Sequence, residues 1–178
     1  MITLERIKNI NSNEYLFTEM LLTQSFPIDE YRNLDEQKQN VSTLDIFHLY
    51  VAKEKGTPIG FISIWKFHDF SYVEHFAIEP TMRDKGYGCM VLDKVKEQEP
   101  RIVLEVEIPD NDVAQKRIDF YTRNGYFLCK KQYIQPAYRP EGNELPMYIM
   151  YYGNVDIEKE FDKIKNQLYL HVYGKNIE

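Results

Sequence analysis

With 178 residues, the chain is long enough to bury a proper core and short enough that a single domain spanning 1–178 is expected. Hydrophobic residues at 43% and charged residues at 28% are ordinary globular usage and argue against disorder. A formal charge of −6 argues against nucleic acid as a partner. No apolar run approaches 18 residues and the opening "MITLERIKNINSNEY" lacks an apolar core, so no membrane association and a cytoplasmic location are expected. Cys89 and Cys129 stand far apart without metal-ligand spacing; they read as free thiols, and no metal site is expected.

In chain order, "MITLERI" reads as a first strand. Asn11 or Ser12 caps a helix over "NEYLFTEMLLTQSF", with Leu16, Met20, Leu21, Leu22 and Phe26 as its buried face. Pro27 breaks that helix, and "EYRNLDEQKQN" reads as a second, polar one. "DIFHLYVAKEKGTPIGFISIWKF" is a hairpin turning at Gly56, and "SYVEHFAI" is a further strand. "GYGCMVLDKVKEQ" and "DVAQKRIDFYTRNGYF" carry helical stripes, with the strand "RIVLEVEI" between them. "YFLCKKQYI" and "LPMYIMYYG" are closing strands. Ile157, Phe161, Ile164, Leu168 and Val172 place a last helix over 155–173, packed on its own domain. Strands interleaved with helices give an α/β architecture around a mixed sheet.

"MRDKGYG", residues 82–88, sits between a strand and a helix. The first amides of a helix lack intrahelical acceptors and favour an anion, Gly86 and Gly88 let a phosphate approach the backbone, and Arg83 and Lys85 add charge. A Walker A loop would need Gly-Lys-Ser/Thr where Gly88-Cys89 stands, and a dinucleotide fingerprint would need glycine at Val91. Both readings fail.

Arg83-x-x-Gly86-x-Gly88 after "EHFAIEP" resembles the acetyl-CoA loop of the GNAT superfamily of N-acetyltransferases, and "DFYTRNGYF" resembles that family's Tyr-x-x-x-Gly-Phe segment. Element order and spacing match from the first helix through "MYIMYY". The resemblance implies a GNAT-like fold: about seven mostly antiparallel strands flanked by helices, here with an extra C-terminal helix. It implies acetyl-CoA as co-substrate and a small-molecule amine or a peptide as acceptor, in a monomer or homodimer. The coenzyme would lie against Phe76, Ala77, Ile78, Arg83, Asp84, Lys85, Gly86, Tyr87, Gly88, Cys89 and Arg117. Ala114 and Arg117 stand where many relatives have Asn and Ala, and Asn111 lies a turn upstream.

Acetyl transfer to an amine needs a neutral nucleophile, and at neutral pH only roughly one alkyl amine in a thousand is uncharged. Tyr121, at the family's Tyr position, is expected to protonate the leaving thiolate. Glu74 is expected to serve as base, since period-2 alternation would set Glu74, Phe76 and Ile78 on one sheet face and His75 on the other. Glu105 and Glu107 would line an acidic wall for a cationic amine. The segments "SFPIDEYRNL", with Phe26 and Tyr31, and "QPAYRPEGNE" would wall the acceptor pocket. A non-catalytic acyl-CoA sensor and an acyltransferase using another acyl group are the alternatives.

Overall fold

A computed structural model describes residues 1–176. Seven strands form one sheet in the order β1-β2-β3-β4-β5-β7-β6: β1 Ile2–Ile7, β2 Phe47–Glu54, β3 Thr57–Lys66, β4 Ser71–Ile78, β5 Arg101–Glu107, β6 Phe127–Gln135 and β7 Leu145–Gly153. Only β4 and β5 run parallel; every other neighbouring pair is antiparallel. Helices α1 Asn13–Ser25, α2 Leu34–Thr43, α3 Tyr87–Gln98, α4 Asp112–Arg123 and α5 Ile157–Gln167 flank it. The expected mostly antiparallel seven-stranded α/β fold is what the chain forms.

Local chemistry explains the boundaries. Ser12 caps α1 by accepting from the Tyr15 amide at 3.1 Å, and Asn33 caps α2 through Glu36 N–H at 2.8 Å. The second helix therefore starts later than the sequence suggested, after a single 3-10 turn at Ile28–Glu30. The β2–β3 hairpin turns on Lys55 and Gly56, both at positive φ, the conformation a two-residue turn needs to match strand twist. On α1 the buried face is Tyr15, Thr18, Leu21 and Leu22, while Leu16 and Met20 are exposed. Apolar residues crowd both sides of that helix, so its pattern does not single out a face.

The core lies on both sides of the sheet. One side packs α1, α2 and α5 against β2, β3 and the inner residues of β6 and β7; the other packs α3 and α4 against Ile62, Val73, Leu104 and Met150. Ile157, Phe161, Ile164, Leu168 and Val172 are all buried in the first of these, so the last helix packs on its own chain. It continues as a π-helical turn, Leu168–Val172, which carries Tyr173 beneath the sheet. The expected 1–178 domain extends two residues beyond those described.

Two irregularities of β4 create the site. Its pairing with β5 covers only Ser71–Val73 against Ile102–Leu104, after which the strands part and leave main chain unpaired on both. The β3–β4 register also shifts: Ser63 opposes His75 and Ile64 opposes Val73, so Glu74 is a bulged residue. The bulge breaks the alternation. Val73, Phe76 and Ile78 face α3. Tyr72, Glu74, His75 and Ala77 all face the α1–α2 side, which corrects the expected opposition of Glu74 and His75.

Candidate active site

Gly86, the residue that caps the start of α3, has a left-handed φ of +79°, and Asp84 before it is at +60°. The first intrahelical return is Met90 N–H to Gly86 C=O at 3.2 Å, so the amides of Tyr87, Gly88 and Cys89 lack intrahelical acceptors. Among the described residues nothing lies within 4 Å of where a Gly86 Cβ would stand, and a Cβ at Gly88 would meet the Phe120 ring at 3.1 Å. The turn is thus an open cradle of amides at a helix N-terminus, suited to a phosphate. Arg83 Nε donates to Ile78 C=O at 2.9 Å, tying the turn to the end of β4.

This cradle forms one end of a cleft of about 490 Å³. Asp84, Gly86, Tyr87, Gly88 and Cys89 line it at the turn, Phe76, Ala77 and Ile78 along β4, and Lys116, Arg117 and Tyr121 from α4. The Tyr87 hydroxyl donates to Glu54, fixing that ring at the cleft wall. Lys85 is placed differently from expectation: its Nζ donates back to Thr81 C=O at 3.0 Å, and it does not line the cleft. Lys116 does, a cation the motif did not indicate because it lies on a different element, 28 residues past the last motif glycine.

A second cavity of about 260 Å³ opens on the opposite side of the parted strands. It shares Phe76, Ala77, Ile78, Arg83, Arg117 and Tyr121 with the first. Tyr121 therefore stands where the two meet. It is 8% exposed, and burial, partly offset by the nearby Arg117 cation, pushes its phenol up to about 12. The phenol is protonated at neutral pH and has no hydrogen-bond partner among the described residues.

Glu74 does not present a free carboxylate to this cavity. Its side chain is fully buried although the residue as a whole is not, so what it exposes is main chain. Arg32 clasps it with two nitrogens, one at 3.0 Å; Trp65 Nε1 and the Tyr138 hydroxyl each add a donor at 3.0 Å. Burial is the largest single influence and raises its pKa, but the Arg32 charge, neighbouring His75 and the hydrogen bonds from Arg32 and Trp65 together outweigh it and hold the carboxyl below its ordinary value. Arg32 is itself buried, with Phe47, Trp65 and Tyr138 rings 5.4 to 5.7 Å from its guanidinium carbon. A carboxylate held this way is a poor proton acceptor. The sequence placed Glu74 at the site but not in this clasp, because Arg32 is 42 residues away.

Glu105 is also saturated. It accepts from the hydroxyls of Tyr72 at 3.0 Å and Tyr173 at 2.7 Å, and from Tyr133 and Gln135. No cation pairs with it among the described residues, and burial raises its pKa despite the four donors. Glu107 pairs with Arg117 and does not line the acceptor-side cavity. Tyr31 is buried beneath the Arg139 guanidinium, 5.3 Å from its ring centre, and does not line it either. Phe26 does, edge-on to His75 with ring centres 4.9 Å apart. Asn111 caps α4 by accepting from the Val113 and Ala114 amides, so it does not stand in for the missing pantetheine-side Asn.

The sequence reading did not single out Glu30, which lines the same cavity from the 3-10 turn between α1 and α2. Its backbone C=O accepts from His75 Nε2 at 2.8 Å, while its carboxylate has no donor among the described residues. The only local signal was its place in "SFPIDEYRNL", the segment expected to wall the acceptor pocket.

Comparison with known proteins agrees with this geometry. Residues 45–127 match the family model "Acetyltransferase (GNAT) domain". A solved structure described as "Putative acetyltransferase from GNAT family from Bacteroides thetaiotaomicron" is 40% identical, with a TM-score of 0.94 over 98% of this chain and 99% of that one. The Bacillus subtilis (strain 168) protein "Putative acetyltransferase YjbC" is 27% identical over 162 residues, 85% of this chain and 80% of its own length. An Elizabethkingia anophelis GNAT family acetyltransferase, solved with acetyl-CoA bound, shares the fold at 17% identity and a TM-score of 0.57, over 85% of this chain and 97% of that one. The amide cradle, the parted strands, Tyr121 between two cavities and the full-length likeness to a 40% identical GNAT structure lead to one conclusion: the chain belongs to the GNAT family of acetyltransferases and is an acyltransferase.

Proposed function

We propose that the protein transfers an acetyl group from acetyl-CoA directly to a primary amine of a small molecule or peptide. The carrying observation is that an anion-ready cleft and a second, carboxylate-lined cavity share Phe76, Ala77, Ile78 and Tyr121. A thioester supplies the activated acyl group. The α3 amides, with Arg83 and Lys116 nearby, suit the diphosphate. The parted edge of β4 offers main-chain N–H groups to the thioester carbonyl, where β4 no longer pairs with β5.

Tyr121 acts as a hydrogen-bond donor to the sulfur as the C–S bond breaks. A phenol at about 12 is a weaker acid than a thiol near ~8.5. Handing its proton over alone would therefore be uphill by roughly 5 kcal/mol. The proton must be replaced within the same turnover, and the amine, which sheds protons as the amide forms, is its source. The acceptor-side cavity holds Glu30 and Glu105, neither paired with a cation among the described residues, which suits a positively charged acceptor.

The test is free-thiol release from acetyl-CoA across alkyl amines, amino acids and short peptides. Turnover dependent on a primary amine is expected; acetyl-CoA binding with no turnover of any amine would instead mark a sensor.

A further inference from the structure

The acceptor's ammonium must lose a proton before its nitrogen can attack, and three glutamate residues border the cavity that would receive it: Glu30, Glu105 and, through its main chain, Glu74. Two are committed. Glu74 accepts four donors, two of them from Arg32, and Glu105 accepts four neutral ones. Glu30 has neither hydrogen bond nor ion pair at its carboxylate among the described residues, and it is only partly buried. Its backbone is nonetheless anchored. The 2.8 Å bond from His75 Nε2 to the Glu30 carbonyl ties the 3-10 turn to β4 beside the parted strands. His75 is buried and burial lowers its pKa, so it is a neutral ring with its proton on Nε2 toward that carbonyl.

Building on the acetyltransferase reading, we infer that Glu30 is the group that receives the acceptor's ammonium and takes its proton, the role the sequence assigned to Glu74. The groups facing it agree with the task. Partial burial comes first, and then the Glu107 carboxylate at the end of β5, in raising its pKa above the ordinary carboxylate value; Arg117 on α4 opposes this and neighbouring Asp29 adds to it. A carboxylate shifted upward toward neutrality is a stronger base than Glu74, which is shifted downward.

The protons balance. Glu30 removes one from the ammonium and later yields it to solvent. The nitrogen lone pair forms the N–C bond as the C–S pair moves to sulfur. Tyr121 donates to the sulfur, and the second N–H proton, relayed through water, restores the phenol. The net products are amide, thiol and one released proton.

Glu30→Gln tests this with two probes, n-butylamine and the dipeptide Gly-Gly, followed from pH 6 to pH 10. Alkyl amines titrate near ~10.4 and peptide N-termini near ~7.7–8.0, so at pH 7 the first depends far more on an enzyme base. The variant is expected to lose about 100-fold or more in kcat/KM with n-butylamine at pH 7 but under about tenfold with Gly-Gly. The n-butylamine loss should shrink as pH approaches 10, with acetyl-CoA affinity unchanged. Glu30→Asp should recover part of the activity. Equal losses on both probes, or an unchanged pH profile in a Glu30→Gln protein that still binds acetyl-CoA, overturn the role of Glu30 alone. A wild-type chain that acetylates no amine overturns the parent reading with it.

Discussion

Tyr121→Phe should lower kcat by 10²–10⁴-fold while leaving acetyl-CoA affinity within about a factor of three. The hydroxyl has no partner to lose among the described residues, so its removal should not unfold the site. The ring stays in place: it packs edge-on against Phe120 and Tyr126, with ring centres 5.2 and 5.4 Å apart, and phenylalanine keeps those contacts. What disappears is the donor at the junction of the two cavities. Rapid-mixing measurement of thiol release beside calorimetric titration of acetyl-CoA separates these effects. A variant with full activity would remove Tyr121 from the chemistry, and one that no longer binds acetyl-CoA would make the ring a binding element instead.

The second large effect is on stability. Glu74→Gln should cost about 3–5 kcal/mol, because it leaves the buried Arg32 charge with only the exposed Glu36 carboxylate, 3.8 Å from its Nε, as counter-charge. For a chain of this length that lowers Tm by roughly 10 °C. Replacing both partners by apolar residues, Arg32→Met with Glu74→Leu, should restore much of the loss, since the desolvation of two charges is avoided. Thermal denaturation of the single and double variants checks this; a Glu74→Gln protein as stable as wild type would contradict the clasp. The sign with pH follows from Glu74's lowered pKa in the fold. The pair contributes fully above the unfolded carboxylate value of ~4.3, and that contribution is lost as pH falls through the lower folded value.

The elements were legible because local rules set them. The glycine turn at 86–88, the strand spanning 71–78 and the Tyr121 stripe of α4 follow from short-range geometry, and each stands where the sequence placed it. Glu74 shows where such reading stops. Strict alternation would set it opposite His75, but one bulged residue turns both toward the α1–α2 side, and a bulge depends on the partner strand. Its low basicity depends on Arg32, and the saturation of Glu105 on donors from Tyr72, Tyr133, Gln135 and Tyr173, drawn from β4, β6 and the C-terminal segment. No single stretch of chain encodes those meetings. Glu30 escaped notice for the opposite reason: it is conspicuous only by lacking partners, which is visible once every neighbour is placed.

The most direct measurement is a crystal structure of the protein with acetyl-CoA. The diphosphate should lie on the amides of Tyr87, Gly88 and Cys89, with the thioester sulfur within hydrogen-bonding reach of the Tyr121 hydroxyl and the acetyl group pointing into the cavity lined by Glu30. A coenzyme bound away from the α3 N-terminus, or a sulfur out of reach of Tyr121, would contradict the assignment.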